Sequence, residues 1–397
     1  MREASSIVTR RGVLALPVVA GLALAGCAPE PGPVEPNRRS PEPSAPAPEP
    51  EGAPEGDPMP ARTLLLASLA KSDHVAVIDP ALSGEKAVRR VRVGAAPWGV
   101  GVDTARATGY AATSEGLAIV DLEALRRRRL VAYRHPTRRR ERGEYRPGGL
   151  GLAVAPDGAR VYVAVTDGGG AYFLEVYDVE RERFVASVPV GLRPFDVVVD
   201  PEGRWAATID HDAFTVTVVD AQTLKPVTHR VAPFGTTGGL ASWEKPHYAA
   251  VDDDGTILLP YQGRLVARLD PRSGRFTTLK SRANSHAHGT ARAGRRLLTV
   301  GTGAFGNASG KPNLSVLDLD TGRERVVPLD RPHETVAVWR DADGGEFAAI
   351  AGGNTRDEGW NGLTLVSLDG RSTRRIAVPG YPQALVAYTA ARATIEA

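Results

Sequence analysis

Two landmarks recur seven times along this chain, and together they limit its fold more than any other feature. The first is an entry into a short apolar strand, led by Pro97, Gly149, Pro194, Pro246, Ser285, Pro332 and Pro382. The second is a strand of alternating apolar and polar residues ending in Asp79, Asp121, Asp178, Asp220, Asp270, Asp318 or Asp369. Copies lie about 40 to 50 residues apart, the length of one propeller blade. In the clearest copy, 193–220, an apolar DVVV run, a Pro201-Glu202-Gly203 turn, a second strand RWAATI and an alternating FTVTVVD follow in order. One such sheet cannot cover both its faces, so the repeat predicts an all-β, seven-bladed β-propeller from residue 62 to the end. The chain starts with the later strands of a blade and ends on an isolated first strand, PQALVAY. That phase predicts closure by a C-terminal strand joining three N-terminal ones, which removes free sheet edges. The terminal Asp residues are expected to cap turn N–H groups rather than to do chemistry.

The run RPGGLGLAVAPDGARVYVAV followed by FVASVPVGLRP resembles the YVTN-type repeat of bacterial surface and periplasmic β-propellers. The resemblance covers roughly residues 62 to 390 and is densest between 147 and 220. It implies the fold and an extracytoplasmic setting; it does not imply one activity, since such rings host many.

Residues 1–27 read as an export signal: Arg2, Arg10 and Arg11, an apolar run too short to span a bilayer, then Cys27. Leu24-Ala25-Gly26-Cys27 resembles a bacterial lipobox, which implies a lipid on Cys27 and anchorage to the outer face of a bacterial membrane. Thr9-Arg10-Arg11-Gly12-Val13-Leu14 also fits a twin-arginine signal, so Sec and Tat routes both stay open. Residues 28–61, rich in proline, glutamate and alanine, read as an extended tether. The formal charge of +3 includes two net positive charges in the signal, so the mature chain gives no general case for nucleic acid. Cys27 is the one cysteine, and the folded part therefore holds no disulfide.

Ligands of propellers bind at the face where the entry loops open. The stretch from Arg126 to Arg146 holds ten arginines against Glu141 and Glu144. It reads either as a solvated loop or as a contact for an anionic polymer, lipid headgroups or an acidic protein partner. Phe234 and Trp243 sit on a glycine-rich hairpin, and Asn354, Asp357, Glu358 and Trp360 on a late loop.

The histidines are the most informative chemical signal. Aligned entries place His247, His286 and His333 at one position, the first residue of the innermost strand, where Trp98, Phe195 and Gln383 stand in other copies. His288 follows His286 by two and points to the same side. His211 lies in a loop on the same face, with Asp196, Asp210, Asp212 and Glu334 near in sequence. Imidazoles converging from adjacent strands suit a divalent metal, zinc or another transition metal. The alternative is a wet mouth that merely tolerates histidine. If the rings stand too far apart for one ion, the expectation becomes an organic-ligand pocket bounded by Trp98, Phe195 and Trp360.

The leading functional expectation is a lipid-anchored propeller that binds a metal ion or small ligand, touching the membrane through its lipid alone. A second is a metal-dependent lyase or lactonase-type hydrolase, similar in architecture to streptogramin lyases and lactonases. There His247, His286 and His333 would hold the ion, and His288 or Glu334 would move a proton. A third is a scaffold for cell-wall polymer or a partner protein. No Ser–His–Asp spacing, Walker loop or dinucleotide fingerprint is present.

Overall fold

Alternation along the strands decides the architecture. In β1 (Arg62–Leu69), Leu65, Ala67 and Leu69 pack on one side while Leu64 and Leu66 pack on the other. Each set belongs to a different apolar cluster, so the strand is buried on both faces and needs a sheet against each. The computed structural model describes residues 62–231, 245–261, 265–282, 289–301, 311–353 and 360–390. Seven four-stranded antiparallel sheets form among them. Seven apolar clusters fill the joints between consecutive sheets, including the joint between the last and the first. The seven-bladed propeller is thus held by packing between blades.

Closure follows the expected phase. The first blade has the order β28 (Pro382–Ala390), β1, β2 (His74–Ile78), β3 (Val88–Arg92). β28 pairs with β1 from Arg62↔Ala390 to Leu69↔Pro382. The second blade comprises β4 (Val100–Asp103), β5 (Thr108–Ala112), β6 (Leu117–Asp121) and β7 (Arg126–Val131). In the third blade β8 (Gly148–Val154) is innermost, and in the fourth β12 (Pro194–Val199). In the fifth and seventh those places fall to β16 (Ala250–Val251) and β24 (Thr335–Arg340). Innermost strands approach closely: a Cβ on Gly151 would lie 2.6 Å from the backbone carbon of Asp196.

All seven strand-end aspartates accept N–H groups of the turn that follows, for example Ala81 N–H on Asp79 (2.9 Å) and Thr321 N–H on Asp318 (2.7 Å). Their role is the capping one. The entry register differs in one detail from expectation. His247 precedes β16 by three residues and His333 precedes β24 by two. Both stand on the rim just before the strand, where side-chain direction is set by loop contacts.

Candidate functional site

At the rim, Trp98, Leu150 and Phe195 join Ala70 in a small buried apolar cluster. The His247 ring stacks on Phe195 (4.5 Å between centroids, 23°), and His211 meets the same phenyl edge-on at 4.9 Å. His211 and His247 meet edge-to-face, 4.9 Å between centroids. Both are buried.

Each imidazole has a carboxylate. The turn after Asp210 carries His211, whose Nδ1 lies 2.9 Å from Asp212 Oδ1. Backbone bonds from His211 and Asp212 N–H to the Arg193 and Leu192 carbonyls fix that turn against the entry of its own blade. Lys245 Nζ (2.9 Å) and Arg193 Nε (2.9 Å) also reach Asp212. Burial pushes the Asp212 carboxyl up, but His211 and Lys245 outweigh it and hold the group well below the usual range. The second carboxylate is Glu144, with Oε1 3.3 Å from His247 Nε2. A carboxylate accepts only, so His211 carries its proton on Nδ1 toward Asp212. A carboxylate beside an imidazole is the pairing found where histidines are oriented for a ligand.

Glu144 arrives from the arginine stretch. The middle of that stretch, 138–142, is exposed, as a solvated loop should be. Its two ends are buried: Tyr133 donates to the Thr113 carbonyl (3.0 Å), and Arg146 donates to the carbonyls of Pro147 (3.0 Å) and Gly149 (2.5 Å). Burial pulls Arg146 down to about 10. The connection between the second and third blades is therefore a strap. It delivers Glu144 to a histidine of the fifth blade and lays Tyr145 edge-on to Phe195 at 5.6 Å, beneath the Arg193 guanidinium.

His333 holds the same repeat position as His247 in a different setting. Nδ1 lies 2.9 Å from the Arg331 carbonyl and Nε2 2.7 Å from Thr364 Oγ1. A carbonyl requires the proton on Nδ1, so Nε2 accepts from the hydroxyl and both nitrogens are engaged. Trp360 meets the ring edge-on at 5.5 Å. Burial holds His333 near pKa 4, against the opposing pull of the Arg331 carbonyl and Asp330.

Deeper groups add carboxylates. Asp196 accepts the N–H groups of Val197 (2.9 Å) and Ala249 (3.0 Å), yet burial still raises it to about 7. Glu334 Oε2 accepts from Gln383 Nε2 at 2.7 Å. Burial, then the negative field of Glu334, Glu144 and Asp196, lifts the Tyr248 phenol well above its usual range. Tyr248 also stacks on His247 at 4.6 Å.

The structure thus brings His247, His211 and Phe195 together with Asp196 nearby, and groups His333 with Trp360 and Glu334 with Gln383. Trp98 belongs to the Phe195 cluster. His286, His288, Phe234, Trp243, Asn354, Asp357, Glu358 and Cys27 lie outside the described residues. Among the described residues, no three His, Cys, Asp or Glu side chains stand close enough to hold a metal ion. Sequence reasoning missed Glu144, Tyr145 and Lys245, which stand outside the aligned entries, and Tyr248, which shares the register place of Asp196 and Glu334 but carries no charge to mark it. A further cluster places Glu175 and Ser187 Oγ around His135, but both approach the same Nδ1, at 3.0 and 3.1 Å. One nitrogen cannot relay a proton between them, so this is no nucleophile triad.

No protein-family model matches the chain, and no curated protein matches it in sequence. Solved structures do match. Hydrazine synthase of Kuenenia stuttgartiensis superposes with a TM-score of 0.51 at 16% identity, over 73% of this chain and 86% of that one. A functionally unknown protein from Desulfotomaculum acetoxidans DSM 771 superposes with a TM-score of 0.60 at 8% identity, over 82% of this chain and 98% of that one. At such identities the shared property is the fold: the chain is similar to these proteins as a β-propeller.

Proposed function

We propose that this protein is an exported propeller, lipid-anchored at Cys27, that holds a small ligand at the channel mouth. A divalent metal ion is the simplest such ligand. One observation carries the reading: two buried imidazoles meet edge-to-face against Phe195, each with a carboxylate beside it. His211 and His247 are two imidazoles at one place, and His286 or His288 is the sequence candidate for a third. Metal needs neutral imidazoles, so affinity falls as pH drops through about 6.5. The export and anchoring part rests on the Leu24-Ala25-Gly26-Cys27 run and the arginines before it. The YVTN-type repeat resemblance belongs to the same reading.

Calorimetry of the purified chain with Zn²⁺ near pH 7.5 tests it, alongside His247→Ala and His211→Ala. One ion should bind, and each substitution should weaken binding at least tenfold. Binding that survives both substitutions overturns the site. A hydrolase reading draws on the Asp212–His211 pair, which has the geometry of an oriented base. Turnover of a lactone panel, lost in His211→Ala, would favour it.

A further inference from the structure

The outer strands of the first two blades carry a charge that the mouth does not use. Residues 86–146 hold fifteen Lys and Arg against six Asp and Glu, a net +9 in a chain whose formal charge is +3. β3 contributes Arg89, Arg90 and Arg92, and β7 is Arg126–Val131, four arginines in a row. Between these blades runs a groove of about 710 Å³, lined by four arginines, Arg92, Arg127, Arg140 and Arg142, and three acids, Asp73, Glu115 and Glu141. The strap forms one wall. Its Arg140 and Arg142 face the groove, while Glu144 and Arg146, further along, are buried toward the mouth.

The acids in the groove do not use up the guanidinium charge. Arg140 meets Glu115 at 2.9 Å and Arg142 meets Asp73 at 3.2 Å, both arginines being more than half exposed. Exposed pairs of this kind contribute about 0–1 kcal/mol each, so an incoming anion displaces them at little cost. Arg127 donates to the Val93 carbonyl (2.8 Å), a neutral acceptor that leaves its charge whole. His74, beside the groove wall, is pulled below its ordinary pKa by burial and by Arg90 and Arg92, against an opposing Asp73.

We propose that this groove docks a linear, phosphate-bearing polyanion, lying between the outer strands of the first and second blades. Guanidinium forks match phosphate oxygens two at a time, which lysine heads do not. A bilayer is the poorer partner, since the cations line a concavity. Among the described residues, the exposed large apolar side chains, Tyr145, Leu192 and Val227, come from the strap, the fourth-blade entry and an outer strand, too scattered to insert together.

The test uses the full chain and sodium polyphosphate, followed by calorimetry at about 0.1 M salt, where charges are screened beyond roughly 10 Å. Wild type should bind, with affinity falling steeply as salt rises. The triple substitution Arg92→Ala, Arg140→Ala, Arg142→Ala should weaken binding at least tenfold without moving the melting temperature. Replacing the same three by Lys should recover only part of the loss. A control removes equal charge elsewhere, through Arg183→Ala, Arg272→Ala and Arg282→Ala, all exposed, and should stay within twofold of wild type. Equal weakening by both triples would mean a diffuse charge effect and overturn the groove. Failure of wild type to bind polyphosphate, or binding only to vesicles of anionic lipid, would overturn it as well.

Discussion

His247 and His333 occupy one position of the repeat, two blades apart, and they are chemically opposite. His333 is locked between the Arg331 carbonyl and the Thr364 hydroxyl, with its proton affinity pressed down by burial. His247 lies between two aromatic rings and beside a second imidazole, with a carboxylate brought from the entry of a blade two places back. The repeat fixes where a side chain starts. What it does is decided by residues that do not repeat: Thr364 in one case, the strap and the His211 turn in the other.

The largest test of that contrast is the seam itself. The His333 side of the rim leans on β28, since Thr335 Oγ1 donates to the Gln383 carbonyl and Gln383 donates to Glu334. Deleting 382–390 should abolish cooperative unfolding altogether, because two blades lose their joint. A truncated chain that melts like the parent would show that β28 is dispensable.

Next in size, His333→Ala should lower stability by about 2–3 kcal/mol through a lost buried ring and an orphaned hydroxyl, while changing Zn²⁺ affinity less than threefold. His247→Ala should also lose stability, since its buried ring stacks between Phe195 and Tyr248, but it alone should weaken Zn²⁺ binding at least tenfold. Denaturant midpoints and calorimetry on both variants compare them directly; a shared tenfold loss of affinity would put both histidines on one ion.

Acid titration separates the neighbourhoods by sign. His333 drops from 6.5 to about 4 in the fold, so its contribution is complete above pH 6.5 and is lost as pH falls toward 4. The full span corresponds to about 3 kcal/mol. Asp196 rises from 3.8 to about 7, and Asp210 to about 6. Their contributions are complete below pH 3.8 and are lost as pH rises through those values. The slopes oppose each other in wild type. On balance the two aspartates outweigh His333, so His333→Gln should make the melting temperature fall more steeply from pH 4 to 7 than in wild type, and Asp196→Asn should make it fall less steeply. Identical profiles would contradict both assignments.

The smallest effect belongs to Thr364→Val, which removes one hydroxyl from His333. About 1 kcal/mol should be lost, with no change at the mouth. A tenfold drop in Zn²⁺ affinity would instead tie His333 to the ligand.

The ring was legible because period two and blade spacing are properties of the chain alone. Seven entries, seven capping aspartates and an orphan last strand sufficed to predict the closure. The rim was legible as a list of positions: Trp98, Phe195, His211 and His247 do gather there. Glu144 was not, because it stands in a connection whose course depends on where its buried ends, Tyr133 and Arg146, find acceptors. The locking of His333 depends on Thr364, 31 residues on, and no local pattern marks that pair.

The seam also has a mechanical consequence. β1 is bonded to β28 on one side and to β2 on the other, both antiparallel. A pull along β1 through Arg62, resisted at the mouth, loads those ladders in shear, so many hydrogen bonds share the force at once. Arg62 is paired with Ala390, so the first and last strands end side by side. Pulling them apart there would open the same ladder one rung at a time. The ring is built to resist traction from its N-terminal end and to yield when its two ends are drawn apart.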